Sequence, residues 1–224
     1  MFEFYLDTAD ATKVLQLNQS LPIYGVTTNP SILAQAGLGI STVLPAMDKA
    51  LGGSARMHVQ VVTQTAEAML VEARQLQALP YDIVVKVPAT SVGLAAIKLM
   101  KAEGITVLAT AIYTAQQGFL AALCGADYLA PYVNRIEAMG SDGVGVVADI
   151  QTLLVRHHFA AKLLPASFKN TLQVMDVLQL GVAAITIPVD IAEQMMAHPA
   201  VQPAVDQFTQ DWQAVFGDRS VVES

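Results

Sequence analysis

Residues 83–88 read Ile-Val-Val-Lys-Val-Pro, an apolar run interrupted by a single lysine. A strand with one wet face alternates apolar and polar residues. A near-continuous apolar strand is covered on both faces, as in a parallel sheet flanked by helices. Comparable runs rich in Val, Ile and Tyr recur at 2–6, 23–27, 57–61, 106–111, 128–133, 162–166 and 184–188, with segments of helical periodicity between them. The segment after 57–61 is representative. Thr65 can cap a helix, Glu67 falls in its first turn, Met69, Ala73 and Leu76 recur at core spacing, and Pro80 marks the end. Eight such strand–helix units predict a single α/β domain over 1–224, a (β/α)8 TIM barrel. An open doubly wound sheet would bring a phosphate-binding glycine turn after its first strand, and here that strand runs into LDTAD with no glycine. No linker or composition break divides the chain. A further helix is expected at 201–216, with Val201, Val205, Phe208, Trp212 and Val215 on one face. It either packs across its own barrel or meets a neighbouring subunit.

Composition narrows the function. Apolar residues make up 54% of the chain and charged ones 14%, enough for a large core and too few charges for a disordered segment. With 12 Lys+Arg against 19 Asp+Glu and a net charge of −7, no basic stripe is present to meet nucleic acid. Anionic substrates must be met by a few placed cations. One cysteine, Cys124, allows no internal disulfide and fits a reducing compartment. The opening MFEFYLD carries acid where a signal peptide carries base, and no apolar stretch of about 18 residues is present. A cytoplasmic protein without membrane contact is expected.

In an α/β barrel the chemistry sits at the C-terminal strand ends. These ends offer Asp7, the run Thr27-Thr28-Asn29, Gln60, Lys86, Thr110, Tyr132 with Arg135, and Ser167. Lys86 is the most informative of them. Alternation sets Val84 and Lys86 on one face and Val85 and Val87 on the other. With both faces covered, the lysine enters the barrel interior, or it snorkels out at the strand end or pairs with an acid such as Asp7. Apolar surroundings lower the pKa of an amine, and a neutral amine can attack a carbonyl to form a Schiff base. Tyr132 can pass protons, Gln60 can orient a water, and Arg135 has the fork that suits a phosphate. His58 shares the inward face of Gln60. The run GVGVVA at 143–148 has dinucleotide-motif spacing but follows a loop, not a strand, so its context is wrong. The histidines show no metal-ligand spacing, and no metal or cofactor is expected.

Several blocks together carry a family resemblance. LDTAD at 6–10, GVTTNPS at 25–31, VVKVP at 84–88, APYVNRI at 130–136 and ASFKN at 166–170 resemble the transaldolase family. The likeness is closest to its small-subunit branch, the fructose-6-phosphate aldolases. IPVDIAEQM at 187–195 and FTQDWQAVFG at 208–217 extend it. The resemblance implies a metal-free aldolase of the Schiff-base class with Lys86 as the covalent residue. By the same resemblance Asp7 places substrate hydroxyls, and Thr28, Asn29 and Ser167 lie along the donor. Thr110 helps hold a catalytic water, Arg135 binds phosphate, and Lys169 is a second basic group. Gln60 and Tyr132 resemble the aldolase pair, where transaldolases carry glutamate and commonly phenylalanine. His58 departs from the apolar residue more usual there. The implied reaction joins dihydroxyacetone or a related hydroxyketone to glyceraldehyde 3-phosphate. A transaldolase that moves the three-carbon unit between sugar phosphates is the close alternative. The implied assembly is a homo-oligomer, two pentamers forming a decamer, with the terminal helix at an interface.

Overall fold

The computed structural model describes residues 1–223. Its strands are β1 (Glu3–Asp7), β2 (Gly25–Thr27), β3 (Arg56–Gln60), β4 (Asp82–Pro88), β5 (Val107–Ile112), β6 (Tyr128–Pro131), β7 (Lys162–Leu163) and β8 (Ala184–Ile187). The helices are α1 (Ala11–Leu17), α2 (Pro30–Ala36), α3 (Ile40–Ala50), α4 (Ala66–Gln77), α5 (Ser91–Ala102), α6 (Ala115–Leu123), α7 (Val133–Ala138), α8 (Gly143–Arg156), α9 (Thr171–Gln179), α10 (Val189–Met196) and α11 (Val201–Phe216). All strand pairs are parallel, in the order β7-β6-β5-β4-β3-β2-β1-β8. The two outer strands meet where the Thr186 N–H donates to the Pro165 carbonyl at 3.1 Å, so the sheet is a nearly closed (β/α)8 TIM barrel.

The expected strands are all present, and two end earlier than the apolar runs do. The sixth stops at Pro131, because Tyr132 turns to φ −97°, ψ 85° and becomes the residue before α7. The seventh is only two residues long. Beyond it Pro165 has no N–H to give, and pairing continues through single bonds from Leu164 to Leu129 and from Ala166 to Pro131. GVGVVA opens α8 behind the cap Asp142, whose carboxylate accepts the Gly145 N–H. A Cβ on Gly143 would lie 2.4 Å from the Val133 carbonyl oxygen, so this glycine serves the close approach of α8 to α7.

The alternation read in β4 holds. Ile83, Val85 and Val87 pack outward under the helices in the main core, and Val84 joins a second cluster inside the barrel with Tyr5, Leu108, Tyr128, Ala130 and Leu164. Below that cluster the N-terminal end is plugged by Glu3, which is almost wholly buried. It accepts hydrogen bonds from the hydroxyls of Tyr5 (2.8 Å) and Tyr128 (2.9 Å) and from Lys162. Burial works to raise the Glu3 carboxyl, but those three donors outweigh it and leave it below its ordinary value. The other end of the barrel is open.

The terminal helix forms as expected over 201–216 and buries none of its residues. Packing of its apolar face across its own barrel is excluded. Phe208 is 69% and Val215 73% exposed.

Candidate active site

A cavity of about 400 Å³ occupies the open, C-terminal end of the barrel. Lys86 rises into it from β4, only 5% exposed, and its Nζ donates to the Thr28 carbonyl at 2.6 Å. Burial holds the amine below its ordinary value, and the Asp7 carboxylate opposes that only in part. Asp7 is held in turn. Thr27 Oγ1 donates to its Oδ1 at 2.6 Å and lies 2.7 Å from Thr186 Oγ1. With one proton per hydroxyl, Thr186 donates to Thr27 and Thr27 to Asp7, a directed chain aimed at the carboxylate beside the lysine.

On the facing wall Tyr132 and Thr110 share a hydrogen bond of 2.8 Å between their hydroxyls. Burial raises the Tyr132 phenol, while Thr110 and the Arg135 charge work the other way. Thr110 reaches the cavity in the inward phase it shares with Leu108, and beside it β5 shifts register against β6 between Ala109 and Ile112, with Ala111 in the left-handed region at φ 53°. Ser167, also on the cavity wall, is a second non-glycine residue in that region at φ 63°. Each such residue costs about 1–3 kcal/mol, and both adjoin or belong to the site. Arg135 spreads its guanidinium 4.8 Å above the Tyr132 ring. The Tyr113 hydroxyl beside it raises its proton affinity further, so it stays a fixed positive charge.

Most of the residues singled out in the sequence meet here: Asp7, Asn29, Lys86, Thr110, Tyr132, Arg135, Ser167 and Lys169 all line the one cavity. Asn29 does so while capping α2 through its Oδ1. Thr28 and Gln60 are placed differently. The Thr28 side chain turns away and donates to the His58 carbonyl, leaving only its backbone oxygen to meet Lys86. Gln60 stands beside Lys86 in register, yet its side chain lines a neighbouring cavity with Pro30, Thr63, Pro88 and Thr90. The residues that sequence reasoning passed over are Thr186, Asn134, Ser31 and Gln35. Thr186 was within reach of it, since it takes the inward phase of the eighth strand. The others lie on helices, where strand ends give no guide.

His58 enters the interior as its phase requires. Its ring stands edge-on to Tyr5 (4.8 Å) and Tyr128 (5.3 Å), and neither nitrogen has a hydrogen-bond partner among the described residues. Burial, and then the charges of Lys86 and Arg56, keep it neutral.

A buried lysine, a carboxylate, a tyrosine–threonine pair and two outer cations thus share one cavity at the strand ends. The family model described as Transaldolase/Fructose-6-phosphate aldolase matches residues 4–220. The chain belongs to this family. Transaldolase/fructose-6-phosphate aldolase members are enzymes of aldolase or transaldolase type, and sugar phosphates suit a cavity that carries Arg135 and Lys169 on its wall. The match runs from the first strand through the terminal helix, so α11 belongs to the family pattern as much as the barrel does.

Proposed function

We propose that this family member is a class I aldolase that cleaves and forms fructose 6-phosphate, using dihydroxyacetone or a related hydroxyketone as donor and glyceraldehyde 3-phosphate as acceptor. The observation that carries the reading is the buried Lys86 amine set among Asp7, Thr110 and Tyr132 in one cavity. In the synthetic direction the neutral Nζ adds to the donor ketone, and loss of water leaves an iminium. Tyr132 gives its proton to the departing hydroxyl, and as the iminium draws electrons from the adjacent C–H bond the Tyr132 phenolate, held by the Thr110 hydroxyl, takes that proton to leave an enamine. The enamine carbon attacks the aldehyde, whose oxygen receives the proton back, and Arg135 and Lys169 hold the phosphate. Water then releases the ketose and restores the amine.

Tyr132 also favours the aldolase over the transaldolase. A phenol can take the proton of the hydroxyl as the aldehyde departs and return it to the enamine carbon, so that the iminium hydrolyses and the three-carbon product leaves, which phenylalanine cannot do. Gln60 adds less, since it faces the neighbouring cavity. The alternative is a transferase that passes the three-carbon unit to a second sugar phosphate while it stays on Lys86. The motif resemblance also supports self-association through α11, whose apolar face is uncovered.

Borohydride with dihydroxyacetone is expected to trap a covalent adduct on Lys86, and Lys86→Met to abolish both adduct and turnover. Tyr132→Phe is expected to keep the adduct while turnover falls by about 10²- to 10⁴-fold. An active Lys86→Met variant would end this reading. Cleavage of fructose 6-phosphate alone, compared with transfer to erythrose 4-phosphate, separates lyase from transferase.

A further inference from the structure

The two outer cations stand on different elements. Arg135 lies in α7, and Lys169 in the loop between β7 and α9. Both residues are exposed; Arg135 rests on the Tyr132 ring, while the Lys169 side chain depends on the course of its own loop. A single phosphate can be held by both only if the two backbones keep a set separation. We infer that Gln173 is the positioning residue that sets it. This deepens the reading of the site as one that accepts a phosphorylated aldehyde, and it rests on that reading.

Gln173 is in the first turn of α9, 7% exposed, and both ends of its amide are occupied. Its Oε1 accepts the Lys169 N–H at 2.8 Å, which fixes which way the amide faces. Its Nε2 then points at α7 and donates to Asn134 Oδ1 at 3.3 Å and to Glu137 Oε2. One side chain thus joins the backbone of the Lys169 loop to the residues on either side of Arg135. Two backbone bonds join the same pieces on the cavity side: Val133 N–H to the Ala166 carbonyl (3.0 Å) and Asn134 N–H to the Ser167 carbonyl (2.8 Å). These are first-turn N–H groups of α7, which have no partner within their own helix. Between the two sets of bonds Phe168 is sunk in the core at 1% exposure.

The loop is therefore held at three points, and each does something different. The backbone bonds place Ser167 with its strained φ, Phe168 anchors the chain, and Gln173 alone reaches past the anchor to Lys169. Removing Gln173 leaves Ser167 and the Lys86 machinery where they are. It frees the Lys169 backbone and leaves Glu137 and Asn134 without their buried donor. The loss falls on the phosphate end of the cavity, because misplacing a binding group by about 1 Å can cost up to about 100-fold.

The decisive test uses a swap. Gln173→Glu sets a carboxylate against Glu137, and Gln173→Glu with Glu137→Gln restores a donor–acceptor pair across the same gap. For the single variant, kcat/KM with glyceraldehyde 3-phosphate is expected to fall by about 10- to 100-fold through KM. Turnover of unphosphorylated glyceraldehyde and trapping of dihydroxyacetone should stay at the parent level. The double variant should recover most of the loss. An equal fall for both acceptors, no fall, or no recovery in the double variant would overturn the assignment. Calorimetry with inorganic phosphate separates this inference from the aldolase reading. Weaker phosphate binding in the single variant, restored in the double, supports Gln173 even if the parent protein traps no ketone. Unchanged phosphate binding rejects it whatever the reaction is.

Discussion

Burying an imidazole without a hydrogen-bond partner costs about 1–3 kcal/mol, and His58 is buried in that way between the rings of Tyr5 and Tyr128. A phenyl ring fits the same edge-on geometry and leaves nothing unpaired. His58→Phe is therefore expected to stabilise the protein by about 1–3 kcal/mol at pH 8. The gain should grow with acid. Folded His58 stays neutral well below its ordinary value, facing Lys86 and Arg56, while the unfolded chain takes up a proton near pH 6.5. Below that pH the parent loses up to about 1.4 kcal/mol per pH unit until the folded ring also titrates, and the variant does not. Denaturant melts at pH 8, 6.5 and 5.5 check this. A gap that stays constant with pH would refute it. At this scale Lys86 was legible because a lysine inside an apolar strand has few places to go. Thr28 and Gln60 were less so. At the last residue of a strand, alternation gives way to the loop, and the loop after Gln60 is pinned elsewhere by Glu72, which takes the N–H groups of Val62 and Thr63.

Helix α5 shows what an element contributes to the site. Gly93 lies in its first turn, with a Cβ position 1.8 Å from the Pro88 carbonyl oxygen, two residues beyond Lys86. By helix propensity alone, Gly93→Ala would stabilise by about 1 kcal/mol. The contact is to backbone and cannot rotate away, so the helix must move off the strand end. The variant is expected to lose stability and at least about 10-fold in turnover, because β4 positions the amine. Thermal melts and adduct-formation rates test this together, and a more stable, fully active variant would show the contact to be soft. The helices and strands themselves were legible from hydrophobic period and caps. Thr65, Glu67, Met69, Ala73 and Leu76 stand in α4 as read. The short β7 was overestimated because apolar character runs on through Pro165 whether or not a ladder can.

At the scale of the whole molecule, α11 leaves its apolar face uncovered. Its face of Val201, Val205, Phe208 and Val215 meets water, and only Trp212 is partly shielded, by Phe216 and by its bond to the Arg219 carbonyl. Contiguous exposed apolar surface on a regular helix marks an interaction site. The protein is expected to sediment as a multiple of the 23.8 kDa chain, and Phe208→Asp to shift it to smaller species without loss of fold. A monomeric parent by light scattering would reject this. The sequence by itself determined the eight strand–helix units and the blocks that mark the family, because periodicity and composition are local properties of the chain; that Lys86 enters the barrel and does not snorkel out was decided by the structure. Tertiary structure alone decided that Asp7 is fed by Thr186 through Thr27, that Gln60 faces another cavity, and that Gln173 ties the Lys169 loop to α7. Each of those depends on which side chains distant segments bring within 3 Å, and no spacing along a single chain encodes that distance.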